Sequence, residues 1–258
     1  MQTKPPILTT NTNRFAHNWD NIGLRLTESG GVSITNIRVP WTDALGWDSS
    51  TKRPITDVLG LPFATLLLPT IQLVFSNFYL GIAQGALDAA AAYTSKSTRA
   101  WPFGGDNKDR ATGEFYILER YGGWHSHLLA ADALLDRVGA ELTAVYREGG
   151  QHGSTFLTDV LNGSTPASAT RSTVSAARRG ELAASVASGK VVSTDVGLEV
   201  TGGVFEVLGS RATGKKYGFD RFWRDVRTHT LHDPVAYKRR EVGSWKLLGE
   251  RPEPTWYT

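Results

Sequence analysis

The sequence predicts a mainly α protein, a four-helix bundle that follows a short β segment at its N-terminus. Three observations predict it. From about Phe63 onward, apolar residues recur at helical spacing over long stretches. The first 55 or so residues hold short apolar–polar alternations bounded by turn residues instead. The chain's 258 residues, 40% hydrophobic and 21% charged, are enough for a sizeable core, and they carry no internal repeat that would make a solenoid.

In the β segment, Val32, Ile34, Ile37 and Val39 are apolar, and the alternation slips by one at Thr35-Asn36, where a bulge would absorb it. Gly30-Gly31 precedes this run and Pro40 ends it. Asn21–Leu26 is the expected partner strand, joined through Glu28–Gly31. Two or three strands do not make an independently stable sheet, so residues 1–57 are read as part of a larger β domain. Residues 58–258 form the bundle. Its first helix is expected from Leu66 to Ser97, stopped by Trp101-Pro102-Phe103-Gly104-Gly105. The second spans Arg110–Arg147, with Gly149-Gly150 as its cap. The third spans Thr173–Leu208, and a shorter fourth spans Phe219–Leu231 and ends before Pro234. Short connections make these helices antiparallel neighbours. The Ser, Thr and Gly-rich stretch Gln151–Ser172 reads as a surface insertion, and its Asn162-Gly163-Ser164 sequon as incidental.

Composition narrows the function. With 28 Lys plus Arg against 25 Asp plus Glu, the net charge of +3 is too small and too dispersed for nucleic-acid binding. Zero Cys excludes disulfides, thiolate metal sites and cysteine nucleophiles. Val58–Leu87 is free of charge and long enough to cross a bilayer. Its Pro62, Pro69, Gln72, Ser76, Asn77 and Gln84 fall on every helical face, however, so it reads as a bundle helix. No basic-then-apolar leader opens the sequence, and the expected location is cytoplasmic.

Few groups suggest chemistry. Gly209–Lys216 nearly matches a phosphate-binding loop, yet Lys216 stands where a magnesium-binding Ser or Thr belongs, and a helix precedes it where a strand should. It still offers Arg211, Lys215 and Lys216 to an anion, or simply a charged connector to solvent. His125 and His127 lie two apart on a helix and diverge, so they cannot share a metal. His229 and His232 lie three apart beside Asp233; they are either structural at a helix C-terminus or proton donors and acceptors near a cofactor. Trp19 is either a packing residue or a wall for a flat ligand. Arg99 is either a surface residue or a phosphate grip. No nucleophile elbow, dinucleotide fingerprint or carboxylate pair stands out.

The combination goes further. Gly23-Leu24-Arg25-Leu26-Thr27-Glu28-Ser29-Gly30 resembles the Gly-x-Arg-x-Thr-x-Ser-Gly strand pair of the acyl-CoA dehydrogenase superfamily. Gly202–Val207 and Tyr217–Pro234, with Arg224-Asp225-Val226-Arg227-Thr228-His229-Thr230-Leu231-His232-Asp233-Pro234, resemble the end of its flavin-dependent monooxygenase branch, typified by dibenzothiophene monooxygenase. The resemblance implies the C-terminal four-helix bundle of that fold plus the last part of its middle β domain, without the N-terminal helical domain, and a homotetramer.

It also implies a reaction. Reduced FMN, delivered by a separate flavin reductase, activates oxygen, and one oxygen atom passes to a sulfur or nitrogen of a small apolar substrate. His232 matches the active-site histidine after the last bundle helix, with His229 beside it as the second catalytic candidate; Arg211, Arg99, Ser29 and Trp19 match positions around the flavin. FAD-dependent acyl-CoA dehydrogenation is the alternative, although no Glu near the bundle's end suits the carboxylate base. A second alternative is an inactive oligomerisation module.

Overall fold

The computed structural model describes residues 13–35, 37–44, 46–54, 62–105, 107–150 and 174–254. The expected domain boundary at 57/58, the insertion Gln151–Ser172 and Asn36 of the expected bulge lie outside them.

After a single helical turn at Pro62–Thr65, α1 runs Leu67–Ser97, α2 Phe115–Gly150 and α3 Ala176–Leu208. In α1 the buried stripe is Leu73, Ser76, Leu80, Ala83, Leu87, Ala90 and Thr94, alternately three and four residues apart, as a helix that follows one neighbour requires. Pro69 sits in the first turn, where the missing N–H breaks no intrahelical bond. The α2 stripe is Ile117, Trp124, Leu128, Ala131, Leu135, Val138, Leu142 and Val145, and the opposite face is exposed. Helix α3 differs from both because it is buried on most sides and packs most extensively on α1 and then on α2. Small residues allow this: a Cβ on Gly197 would meet Tyr79 and Val226, and one on Gly203 would lie 2.7 Å from the Trp124 indole. The Ser175 hydroxyl caps α3, accepting from Arg178 N at 3.2 Å.

Two short helices complete the bundle. Helix α4, Asp220–His229, lies along α1 and α3. Helix α5, Val235–Leu248, packs on α3 and is an element the sequence reading omits. Pro234 ends one helix but also pre-sets the backbone for the next, so it opens α5 instead of closing the bundle. The second expected helix also begins later than Arg110, because Ala111–Gly113 forms a 3-10 turn first, and it runs through Gly149-Gly150 instead of being capped there.

The β segment departs most from expectation. The strands are β1, Asn13–Phe15, and β2, Val32–Ile34, paired antiparallel with Phe15 opposite Val32. Asn21–Leu26 is not the partner strand. Its backbone hydrogen-bonding groups go to α4 instead: Leu24 N donates to Asp225 Oδ1 at 2.8 Å, and Arg224 donates to Ile22 O. A Cβ at Gly23 would lie 2.1 Å from Arg224 O, so only glycine lets this segment lie on the helix.

Candidate functional site

The end of α4 gathers most of the chemistry. His229 closes the helix, and its Nδ1 is 2.8 Å from Tyr79 Oη on α1. The Phe75 ring meets His229 edge-on with centroids 4.3 Å apart, and His232 stacks on His229 at 5.9 Å with 14° between planes. His232 Nδ1 lies 3.1 Å from Asp233 Oδ1, while Asp233 Oδ2 accepts from Lys190 Nζ at 2.8 Å. Lys190 comes from the middle of α3 with its side chain 2% exposed, whereas the His232 side chain is 65% exposed. A buried ammonium thus stands behind a carboxylate, which stands behind an accessible imidazole.

The electrostatics separate the two histidines. Burial, followed by charge interactions with His232 and Lys190, lowers the pKa of His229, which keeps its imidazole neutral. Burial also pushes the Tyr79 phenol up, aided by the Asp233 charge, so that it stays protonated. Burial alone would raise Asp233, but its hydrogen bond and charge interaction with Lys190, together with His232, outweigh that and hold the carboxyl below its ordinary value.

Trp19 and Ser29 are linked through Leu24 and Thr27, in a segment that docks on α4 at Arg224 and Asp225. The Trp19 indole N–H donates to Leu24 O at 2.7 Å, Thr27 Oγ1 donates to the same carbonyl at 2.9 Å, and Thr27 and Ser29 hydroxyls are 2.9 Å apart. Leu24 takes the left-handed conformation at φ 54° to accept both while its N–H reaches Asp225. The Trp19 ring is therefore fixed as a surface, with its polar edge already engaged.

Arg99 and Arg211 lie elsewhere. Thr98 Oγ1 donates to Leu208 O at 3.4 Å, which brings the C-terminal ends of α1 and α3 together, and with them Arg99 and the 3-10 turn Ser210–Thr213. A hollow of about 730 Å³ opens there, lined by Lys96, Arg99, Trp101, Lys108 and Arg110 among others. Tyr79 and Arg99 stand twenty residues apart on and just beyond α1, ~30 Å at the helical rise per residue. The expected grouping of guanidinium and imidazole around one ligand is thus not made within one copy of the chain. His125 and His127 are exposed on α2, and His127 pairs with Glu199 at 3.0 Å. No cluster of metal-ligating residues occurs among the described residues.

Tyr79 and Lys190 are the residues the sequence reading missed. Lys190 had a signal, as a lone charge in the apolar run Val186–Val192. Tyr79 had none beyond lying in the uncharged run Val58–Leu87.

Comparisons with known proteins place the fold in a family. Residues 73–236 match the acyl-CoA dehydrogenase C-terminal domain. The dibenzothiophene monooxygenase of Rhodococcus erythropolis is 38% identical over 92% of the chain, which covers 50% of that protein. The probable FMNH2-dependent monooxygenase SfnC of Pseudomonas putida is 35% identical over 94% of the chain and 53% of its own length. TdsC of Paenibacillus sp. A11-2, solved in complex with FMN and indole, superposes with a TM-score of 0.79 and 34% identity over 96% of the chain and 55% of TdsC. The chain spans about half the length of the curated relatives it matches. No helix among the described residues is long and apolar enough to cross a membrane. The fold, the match over residues 73–236 and these relatives together establish that the chain belongs to the acyl-CoA dehydrogenase family, of which it carries the C-terminal helical domain.

Proposed function

We propose that the chain contributes the helical half of a flavin-dependent monooxygenase that uses FMNH2 and oxygen on a small apolar sulfur- or nitrogen-containing substrate. The observation that carries this reading is the accessible His232 imidazole, backed by Asp233 and Lys190, beside a neutral His229 tied to Tyr79. The naming of SfnC as FMNH2-dependent and the FMN in the TdsC complex support the cofactor.

The donor set fits FMN. Exposed guanidinium and ammonium groups around the hollow at the α1–α3 end, Arg99 among them, suit a phosphate, and Arg211 on the 3-10 turn Ser210–Thr213 that follows α3 adds a further guanidinium at that end. Trp19 offers a flat wall and Ser29 a hydroxyl beside it, while His232 offers an imidazole nitrogen to the reactive edge. When bound, the flavin supplies the electrons and the oxygen activation. The chain's own residues hold a proton at His232, and Phe75 and Tyr79 pack behind the imidazoles, where they keep water from that side.

Because the two donor sets stand ~30 Å apart along α1, the reading includes assembly. A second copy brings its Arg99 and Arg211 to the first copy's histidines, within a homotetramer. The exposed apolar residues of α2, Phe115 at 72%, Leu118 at 57% and Leu129 at 57%, supply surface for such contacts. A separate flavin reductase provides FMNH2, and the setting is cytoplasmic. Acyl-CoA dehydrogenation with FAD is disfavoured because the carboxylate in this cluster, Asp233, is already committed to Lys190 and His232.

The test is co-elution. The purified chain is mixed with FMN and sized, and flavin absorbance is followed in the protein peak. A coloured peak is expected, and a colourless one rejects the enzyme reading for this chain. With flavin bound, His232→Ala should lose oxygenation of an apolar sulfide while keeping FMN; unchanged turnover would remove the proton role.

A further inference from the structure

Lys190 is costly where it stands. Its side chain is 2% exposed on the most buried helix, and its ammonium donates to Asp233 at 2.8 Å. A methionine would place the same aliphatic length among the same neighbours without taking a charge out of water. What the ammonium adds is a fixed position for the Asp233 carboxylate, whose other oxygen lies 3.1 Å from His232 Nδ1.

An ionised carboxylate only accepts hydrogen bonds. Its contact with Nδ1 therefore requires the proton on that nitrogen, and neutral His232 is left with a bare Nε2, which has no partner among the described residues. An unrestrained histidine in water favours the other tautomer, with the proton on Nε2. The choice between the two decides whether the exposed nitrogen accepts a proton or presents one.

We infer that Lys190 is a positioning residue: through Asp233 it fixes the His232 ring with its proton on Nδ1 and leaves Nε2 as the nitrogen that meets a bound group. The other ionisable groups facing this array do not replace it. From α1 comes Tyr79, engaged with His229 at 2.8 Å; from α4 comes His229 itself. From α5 come Lys238 and Glu241, which pair with each other at 2.9 Å. Lys190 donates directly to Asp233, because it projects from α3 beneath the turn Thr230–Pro234 that joins α4 to α5, whereas Lys238 meets this array as a nearby charge while paired with Glu241. The same logic holds metal-bound and catalytic imidazoles elsewhere, where a group behind one nitrogen sets the state of the other.

The catalytic consequence rests on the flavin reading above, but the tautomer does not, so the two can fail separately. The test uses the full chain with 15N-labelled histidine and no flavin, in two-bond 1H–15N NMR at mildly alkaline pH. His232 is assigned by the signal lost in His232→Gln. Expected is the Nδ1–H pattern for His232 in the unmodified chain, reverting to a mixture dominated by Nε2–H in Lys190→Met and retained in Lys190→Arg. The His127 signals and the far-UV circular dichroism should not change between variants. An Nε2–H pattern in the unmodified chain overturns the inference even if Lys190→Met fails to fold. So does a folded Lys190→Met chain that keeps the Nδ1–H pattern. With FMNH2 supplied, Lys190→Met should lower the ratio of product to reduced flavin consumed at least several-fold with FMN affinity unchanged. Failure to bind FMN would defeat the flavin reading while leaving the tautomer result standing.

Discussion

Replacing Gly23 by alanine should detach the Trp19–Ser29 segment from α4 without unfolding the bundle. The added Cβ would lie 2.1 Å from Arg224 O, 2.4 Å from Arg224 C and 2.7 Å from Thr228 Oγ1, where ordinary contact begins at 3.4 Å. The Arg224 carbonyl sits mid-helix and also accepts from Thr228 Oγ1 at 2.8 Å, so the helix does not yield. The segment must retreat by more than an ångström, which breaks the Leu24–Asp225 bond and the bond from Arg224 to Ile22. Hydrogen bonds to charged groups contribute about 1.5–3 kcal/mol each, and since one of these is exposed and the other only partly buried the lower end applies, hence about 3 kcal/mol together. At about 1.4 kcal/mol per factor of ten, the detached fraction rises roughly 100-fold. Hydrogen-exchange mass spectrometry of the peptide over residues 18–31 reads this directly, with peptides from α3 as the internal control. Exchange of residues 18–31 unchanged within about threefold, in a folded Gly23→Ala chain, would refute the docking argument. Equal acceleration in α3 would show that the segment and the bundle are one cooperative unit.

Gly203→Ala should press on the buried Trp124 indole, 2.7 Å from the new Cβ at its nearest atom, and cost about 1–3 kcal/mol, read as a lower denaturant midpoint with an unchanged m-value. Leu182, 0% exposed at the centre of the core, should lose about 2–5 kcal/mol on truncation to alanine, a fall in Tm of roughly 5–15 °C. Stability should decline on acidification. His229 is held below its ordinary pKa, so the unfolded chain protonates first as pH falls through about 6.5. The stability this group supplies above that range is then lost, and His229→Asn should flatten the slope of Tm against pH there. Asp233, also depressed, adds a second loss only below the ordinary carboxylate range, and Lys190→Met should remove it.

The long helices were legible because each carries an unbroken 3.6-type stripe, and local periodicity is what sequence displays best. Helix α5 was not, since Pro234 signals an end and a beginning with the same residue. The strand pairing failed for a tertiary reason. Asn21–Leu26 resembles a strand locally, yet Asp225, 201 residues from Leu24, captures its backbone N–H. In the site, the His229-to-Asp233 motif was readable from spacing, whereas Tyr79 and Lys190 reach it from helices distant in sequence. Arg99 and Arg211 stood out in the sequence as candidate anion grips, each at the end of a helix, but nothing in the sequence measured their distance from the histidines.

That distance has a genetic consequence. If imidazole and guanidinium act on one ligand only across two copies, a chain crippled at one end is not crippled at the other. Mixing His232→Ala subunits with Arg211→Ala subunits and letting them pair at random would rebuild an intact catalytic unit in every mixed pair, restoring about a quarter of the sites from two inactive parents. Two silent alleles could then complement each other within a single assembly.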